Sequence, residues 1–133
     1  MIGLRGVYAV GVPVRDQDRA LAFYIDVLGL RLRRDVPSDE LAGRWIEVAP
    51  SGAATTIALV PERDDLRCGS DTGIRLGVTD AETARAELLR RGVEAGQVGG
   101  CAAAPPTFVI RDQDGNSVML VEHSGRDSGV RGR

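Results

Sequence analysis

The chain has 133 residues, 43% of them hydrophobic and 27% charged, with a net charge of −2. That length suits one compact domain or two small modules, and the composition excludes a disordered chain and any strong electrostatic pull toward nucleic acid or acidic lipid. All 17 basic residues are arginines, which excludes Schiff-base and lysine-base catalysis.

No long apolar core precedes Arg5, and no apolar run approaches the ~20 residues of a membrane span. The expectation is a cytoplasmic protein without membrane contact. "VYAVGVPV" (7–14) reads as the first strand. It leads into "VRDQDRALAFYIDVLG", where Asp16 suits a helix N-cap and Asp18 favours the positive helix end. Ala20, Phe23, Tyr24, Val27 and Leu28 recur at helical spacing, so one face is buried, and Gly29 stops the helix. "LRLRRDV", "GRWIEVAP" and "TTIALVP" follow as strands, with "SGAA" where a hairpin turn is needed.

The order then repeats. "GIRLGV" (73–78) is a strand, and "VTDAETARAELLRRG" repeats Val-x-Asp, helix, Gly, with Asp80 as cap and Glu82 behind it. "VEAGQV", "TFVIR" and "SVMLVE" are strands, and "DQDGN" (112–116) is a tight turn with Gly115 or Asn116 at positive φ. It is not a calcium loop, because the sixth and twelfth positions from Asp112 are Ser117 and His123. "GQVGGCAAAPP" (96–106) lacks the phosphate-loop patterns and reads as a flexible connection, lid or linker. Cys68 and Cys101 form no C-x-x-C and read as free thiols in a reducing compartment. Residues 124–133 read as a frayed tail. Each half is thus β-α-β-β-β, with boundaries at 1–64 and 65–123.

This order, with "VPVRDQDRALAFYIDVLGL", "WIEVAP...TTIALVP", "GVTDAETARAELLRRGV" and "RDQDGNSVMLVE", resembles the vicinal oxygen chelate superfamily of glyoxalases, bleomycin-resistance proteins and extradiol dioxygenases. The resemblance covers roughly residues 7 to 122. It implies an α+β fold in which two tandem βαβββ modules form a curled mixed sheet around a concave cup. It is not specific for an activity, because the fold hosts lyases, epimerases, dioxygenases, thiol transferases and drug-binding proteins. Metal-dependent members place His or Glu at four cup positions. Carried over by spacing, these are Ala9, Ala58, Gly73 and Met119, none of which can hold a hard or borderline divalent ion. The expectation is therefore no metal and no cofactor.

Strand alternation gives a second route to the cup. With Val10, Val12, Val14, Ile46, Val48, Ile57, Leu59, Leu76, Val78, Val118 and Leu120 under the helices, the opposite parity faces the cup. That face holds Ala9, Gly11, Trp45, Glu47, Thr56, Ala58, Gly73, Arg75, Ser117 and Met119, an apolar surface with a few polar groups. Trp45, the only Trp, is either a core aromatic or a stacking wall for a flat ligand. Glu47 and Arg75 could grip a charged ligand or pair with each other. Three functions compete. One is a metal-free protein binding a small drug or metabolite, which the vacant metal positions favour. A second is a metal-dependent lyase, isomerase or dioxygenase drawing on Glu47, Glu122 or His123. The third is a metal-free enzyme with Glu47 as base and Arg75 stabilising an oxyanion. The family resemblance also implies a homodimer.

Overall fold

The structure is a computed structural model and describes residues 1–123, except for the side chain of Cys101. The expected fraying of 124–133 and the free thiol expected at Cys101 lie outside the described residues. The chain divides into two compact units, Met1–Ser70 with Gln113–Asn116, and Asp71–Asp112 with Ser117 onward.

In the first unit, β1 (Ala9–Val14) is followed by α1 (Gln17–Leu21), which continues as a π-helical turn over Ala22–Val27. Then come β2 (Arg31–Ser38), β3 (Gly43–Ala49) and β4 (Thr56–Pro61), in the sheet order β1-β4-β3-β2 with β1 parallel to β4. In the second unit, β5 (Asp71–Val78) and α2 (Ala81–Arg90) precede β6 (Glu94–Ala95), β7 (Gly99–Cys101), β8 (Ala104–Arg111) and β9 (Ser117–Glu122). Its order is β5-β9-β8-β6, with β7 also on β8 and β5 parallel to β9. Two mixed sheets with two helical segments make an α+β fold, the class expected.

Both helices start as the sequence dictates. Asp16 accepts from the amide of Arg19 at 3.0 Å, and Asp80 accepts from that of Thr83 at 2.9 Å. Val12, Val14, Ile46, Val48, Ile57 and Leu59 are all buried with Ala20 and Tyr24. Each such aliphatic side chain contributes about 1.5–3 kcal/mol when fully buried. Gln17 secures α1 to the sheet. Its amide donates to the carbonyls of Arg44 (2.6 Å) and Leu59 (2.9 Å), while its oxygen accepts from the Arg44 amide.

Several elements differ from expectation. The first helix is not a uniform α-helix, since its last turn closes with the Leu28 amide on the Phe23 carbonyl (2.9 Å), one residue wider than α spacing. Tyr24 stays fully buried there, edge-on to Phe23 at 5.2 Å. The first strand begins at Ala9, not Val7. The strand expected over 93–98 shrinks to Glu94–Ala95, because the Gly96 carbonyl is taken by the Arg85 guanidinium at 2.6 Å. The 96–106 segment is not an unstructured connection, since it contains β7 and the start of β8. Gly100 permits that pairing: a Cβ there would sit 3.1 Å from the Pro105 carbonyl oxygen and the Pro106 Cα. At the 112–116 turn Gly115 alone takes positive φ (+78°).

Candidate functional site

The ten cup positions fall into two groups, one in each unit. In the first unit the strand register sets a row across one face of the sheet. Gly11 is opposite Ala58, Ala58 opposite Glu47, and Glu47 opposite Arg34. A second pair is Ala9 with Thr56, and Trp45 stands opposite Val36 on β2. Thr56 and Ala58 are buried, at 4% and 1% exposure, whereas Trp45 is half-buried and Gly11 exposed.

Glu47 organises this face. Its carboxylate is only 4% exposed, yet it is met by two neutral donors rather than a salt bridge. The Tyr8 hydroxyl donates to Oε2 at 2.8 Å and the Trp45 indole N–H donates to the same oxygen at 2.6 Å. A buried carboxylate needs such donors, and charge-assisted hydrogen bonds are the strong kind. The bond to Glu47 raises the pKa of the Tyr8 phenol, aided by burial and by the negative charge, while Arg34 and Arg33 act the other way. Tyr8 was not singled out in the sequence; it lies outside β1, and only the register of Thr56, whose amide donates to the Tyr8 carbonyl at 3.1 Å, brings it to this face. Beside the clamp lies a groove of about 450 Å³, lined by Tyr8, Val36, Pro37, Leu41 and Trp45, with Arg34, Ser38 and Glu40 at its polar positions.

In the second unit, Arg75 is exposed and its guanidinium donates to the Gly73 carbonyl at 3.2 Å. Arg75 pairs with Met119, and Asp71 pairs with Ser117. A bulge interrupts the ladder between these pairs, and Gly73 sits in it with φ +75°. Ser117 accepts from Arg111 and its carbonyl accepts from the Thr72 hydroxyl. A small hollow of about 180 Å³ is lined by Asp71, Ile74, Arg75, Val109, Ser117 and Met119.

The donors do not fit the metal that the fold family implies. Ala9, Ala58 and Gly73 offer no side-chain ligand atom and Met119 only a soft thioether. Gly73 is also in the left-handed region, where a His or Glu would be strained. Glu122, considered as a displaced ligand, instead accepts the Ala81 amide at 3.0 Å in the first turn of α2. The His123 amide donates to the Val78 carbonyl and its ring lies against Gly77. Among the described residues no three of His, Cys, Asp or Glu come together to hold a cation.

The remaining polar groups have local work. Asn116 donates to the Pro13 carbonyl at 2.9 Å and accepts from the Gly69 amide at 2.8 Å; Asp114 accepts from the Arg15 backbone at 3.1 Å. Cys68 donates to the Pro13 carbonyl, and burial, with Asp114 and Glu62 nearby, pushes its thiol up to about 11. It is protonated at neutral pH and a poor nucleophile.

The comparisons agree with this architecture. The family described as Glyoxalase/Bleomycin resistance protein/Dioxygenase superfamily matches residues 6–120. TnmS3, an antibiotic binding protein from Streptomyces sp. CB03234, is 31% identical, with 92% of this chain and 98% of that chain covered and a TM-score of 0.82. A glyoxalase/bleomycin resistance protein from the same organism is 33% identical over 87% of this chain and 99% of that one, with a TM-score of 0.76. YetH of Bacillus subtilis, an uncharacterized protein, is 34% identical over 59 residues, 44% of this chain, and the match spans about half of its length (48%). By this match over nearly its whole described length, the chain belongs to the glyoxalase, bleomycin-resistance and dioxygenase superfamily.

Proposed function

We propose that the protein is a metal-free binder of a small, flat, mostly apolar organic molecule of the drug or metabolite class. The observation that carries this reading is the aromatic groove on the first sheet, where Tyr8 and Trp45 are held by one buried carboxylate beside Val36, Pro37 and Leu41. Its volume is in the range of small-molecule sites, and aromatic side chains bury large areas at low entropic cost. The likeness to an antibiotic binding protein supports the same reading.

The enzymatic alternatives draw less support. Glu47 as a general base would act through a residue only 4% exposed whose Oε2 already holds two ring donors. Arg75 spends one donor on its own strand. Calorimetric titration against a panel of planar antibiotics and aromatic metabolites tests the proposal. A saturable one-site isotherm with no turnover of the bound compound is expected. Near one equivalent of Zn, Ni, Fe or Mn per chain by elemental analysis, removable together with an activity, would contradict it.

The proposed partner is a second copy of the chain. Met1, Ile2, Leu4 and Val7 are apolar and exposed, Ile2 and Leu4 each at 88%. Exposed apolar residues gathered in one short segment suit a surface that a partner covers. Light scattering should give the dimer mass at micromolar concentration; a monomer mass throughout would count against it.

A further inference from the structure

Tyr8 and Trp45 have one hydrogen-bond donor each on their side chains, and both donors converge on Glu47 Oε2. What these side chains leave for a ligand is therefore ring surface and the acceptor side of the Tyr8 oxygen, with no donor. The groove's apolar walls, Val36, Pro37 and Leu41, offer no side-chain donor either, so the donors left in it are the Ser38 hydroxyl and the Arg34 guanidinium at its polar positions. Its charged groups are Arg34 and Glu40, of opposite sign. Arg34 also stands opposite Glu47 in the ladder.

We propose that Glu47 is a specificity-determining residue: by occupying the donors of Tyr8 and Trp45, it makes this aromatic wall select uncharged planar ligands by their ring faces and blind to acceptor groups set against it. The inference rests on the binding function proposed above and names its ligand class. An aromatic site usually reads a ligand twice, by stacking and by the polar handle of Tyr or Trp. Here the handle is turned inward. A ligand carbonyl offered to Tyr8 or Trp45 would have to displace a charge-assisted bond, which is stronger than the neutral one replacing it. The same bonds fix both rings, so little side-chain freedom remains to be lost on binding.

The test uses a matched pair of unreactive planar probes, fluorene and fluorenone, which differ by one carbonyl. Equilibrium dialysis measures each against the full chain and against Tyr8→Phe, Glu47→Gln and Glu47→Ala. The intact protein should bind both within about threefold, less than the roughly tenfold that one net hydrogen bond can supply. Tyr8→Phe deletes the hydroxyl and keeps the ring, so it should weaken both probes alike as the ring loses its anchor, and leave the fluorenone-to-fluorene ratio within about threefold of that of the intact protein. Glu47→Ala frees both donors. It should weaken fluorene and raise the fluorenone-to-fluorene ratio by about tenfold. Glu47→Gln keeps an acceptor and should lie between. Tyrosinate absorbance, read without ligand, should report an easier Tyr8 ionisation in both Glu47 variants, showing that the clamp exists where the fold is retained. A preference of about tenfold for fluorenone in the intact protein, lost in Tyr8→Phe, would overturn the inference and leave the binding function standing. Binding of neither probe, nor of the antibiotic panel, would overturn both.

Discussion

The two sheets are built on one plan and have come to carry different chemistry. Each begins with a strand ending in Val-x-Asp, and each Asp caps the helix that follows. In each the first strand runs parallel to the last strand of its sheet. Yet four of the five aromatic residues, Tyr8, Phe23, Tyr24 and Trp45, lie in the first unit, and only Phe108, buried in the core, lies in the second. The first sheet holds a buried acid between two rings. The second offers a bulged strand whose residues alternate between exposed and half-buried, with one exposed arginine. A repeated backbone thus fixes caps and strand order, while the side chains it carries differ between the two halves.

Core substitutions should show the difference most strongly. Ile46 on β3 is fully buried, whereas Leu76 on β5 is only half-buried. Ile46→Ala should cost about 2–5 kcal/mol in urea unfolding, and Leu76→Ala distinctly less. Equal losses would remove the contrast in packing. Next come the glycines of the two first strands. Gly73 has φ +75°, so Gly73→Ala should destabilise by about 1–2 kcal/mol. Gly11 has no such φ, and a Cβ there meets only Val60 Cγ2 at 4.0 Å, so Gly11→Ala should be nearly silent in the same assay.

A smaller effect is expected from pH. Backbone amide donation from Thr83 is the main cause holding the Asp80 carboxyl below its usual range. A depressed folded pKa gives stability that is present above the unfolded value, about 3.9, and fades as pH falls through the lower folded one. Asp80→Asn should flatten the loss of stability over that acid window and lower the neutral-pH melting temperature slightly, since the share contributed by the ionised cap is absent at every pH. The smallest effect is assigned to Arg75. As it is exposed, Arg75→Ala should alter stability by no more than about 0.5 kcal/mol. It should leave the affinity for uncharged planar ligands unchanged, as measured by calorimetry. A large loss there would move the site toward the second sheet.

Much of the fold was legible because its signals are local. The caps at Asp16 and Asp80, the burial of Val12, Val14, Ile46 and Val48, and the turn at Gly115 follow from short-range sterics and alternation. Less legible were features set by pairing between distant segments. The bulge at Gly73 depends on how β5 meets β9, and β7 depends on two prolines approaching Gly100. Of the site, alternation placed Trp45 and Glu47 on one face, and the register agrees. Alternation had no way to find Tyr8: in "VYAVGVPV" its parity is that of Val10, Val12 and Val14, on the helix side, whereas it lies just before β1 and its partner is 39 positions away. Nor did it foresee that Glu47 would face two neutral donors, which turns a candidate base into an anchor for two rings.

Trp45 is the only indole in the chain, so its emission reports on the first sheet alone. Titrating the protein with a planar, uncharged aromatic ligand while following that emission tests the central claim directly. A saturable shift or quench is expected, with a midpoint matching the calorimetric one. Trp45→Ala should weaken binding by about tenfold or more, with its circular dichroism unchanged. Tight calorimetric binding with unmoved Trp45 emission, and equal affinity in Trp45→Ala, would contradict the assignment of the site to this face.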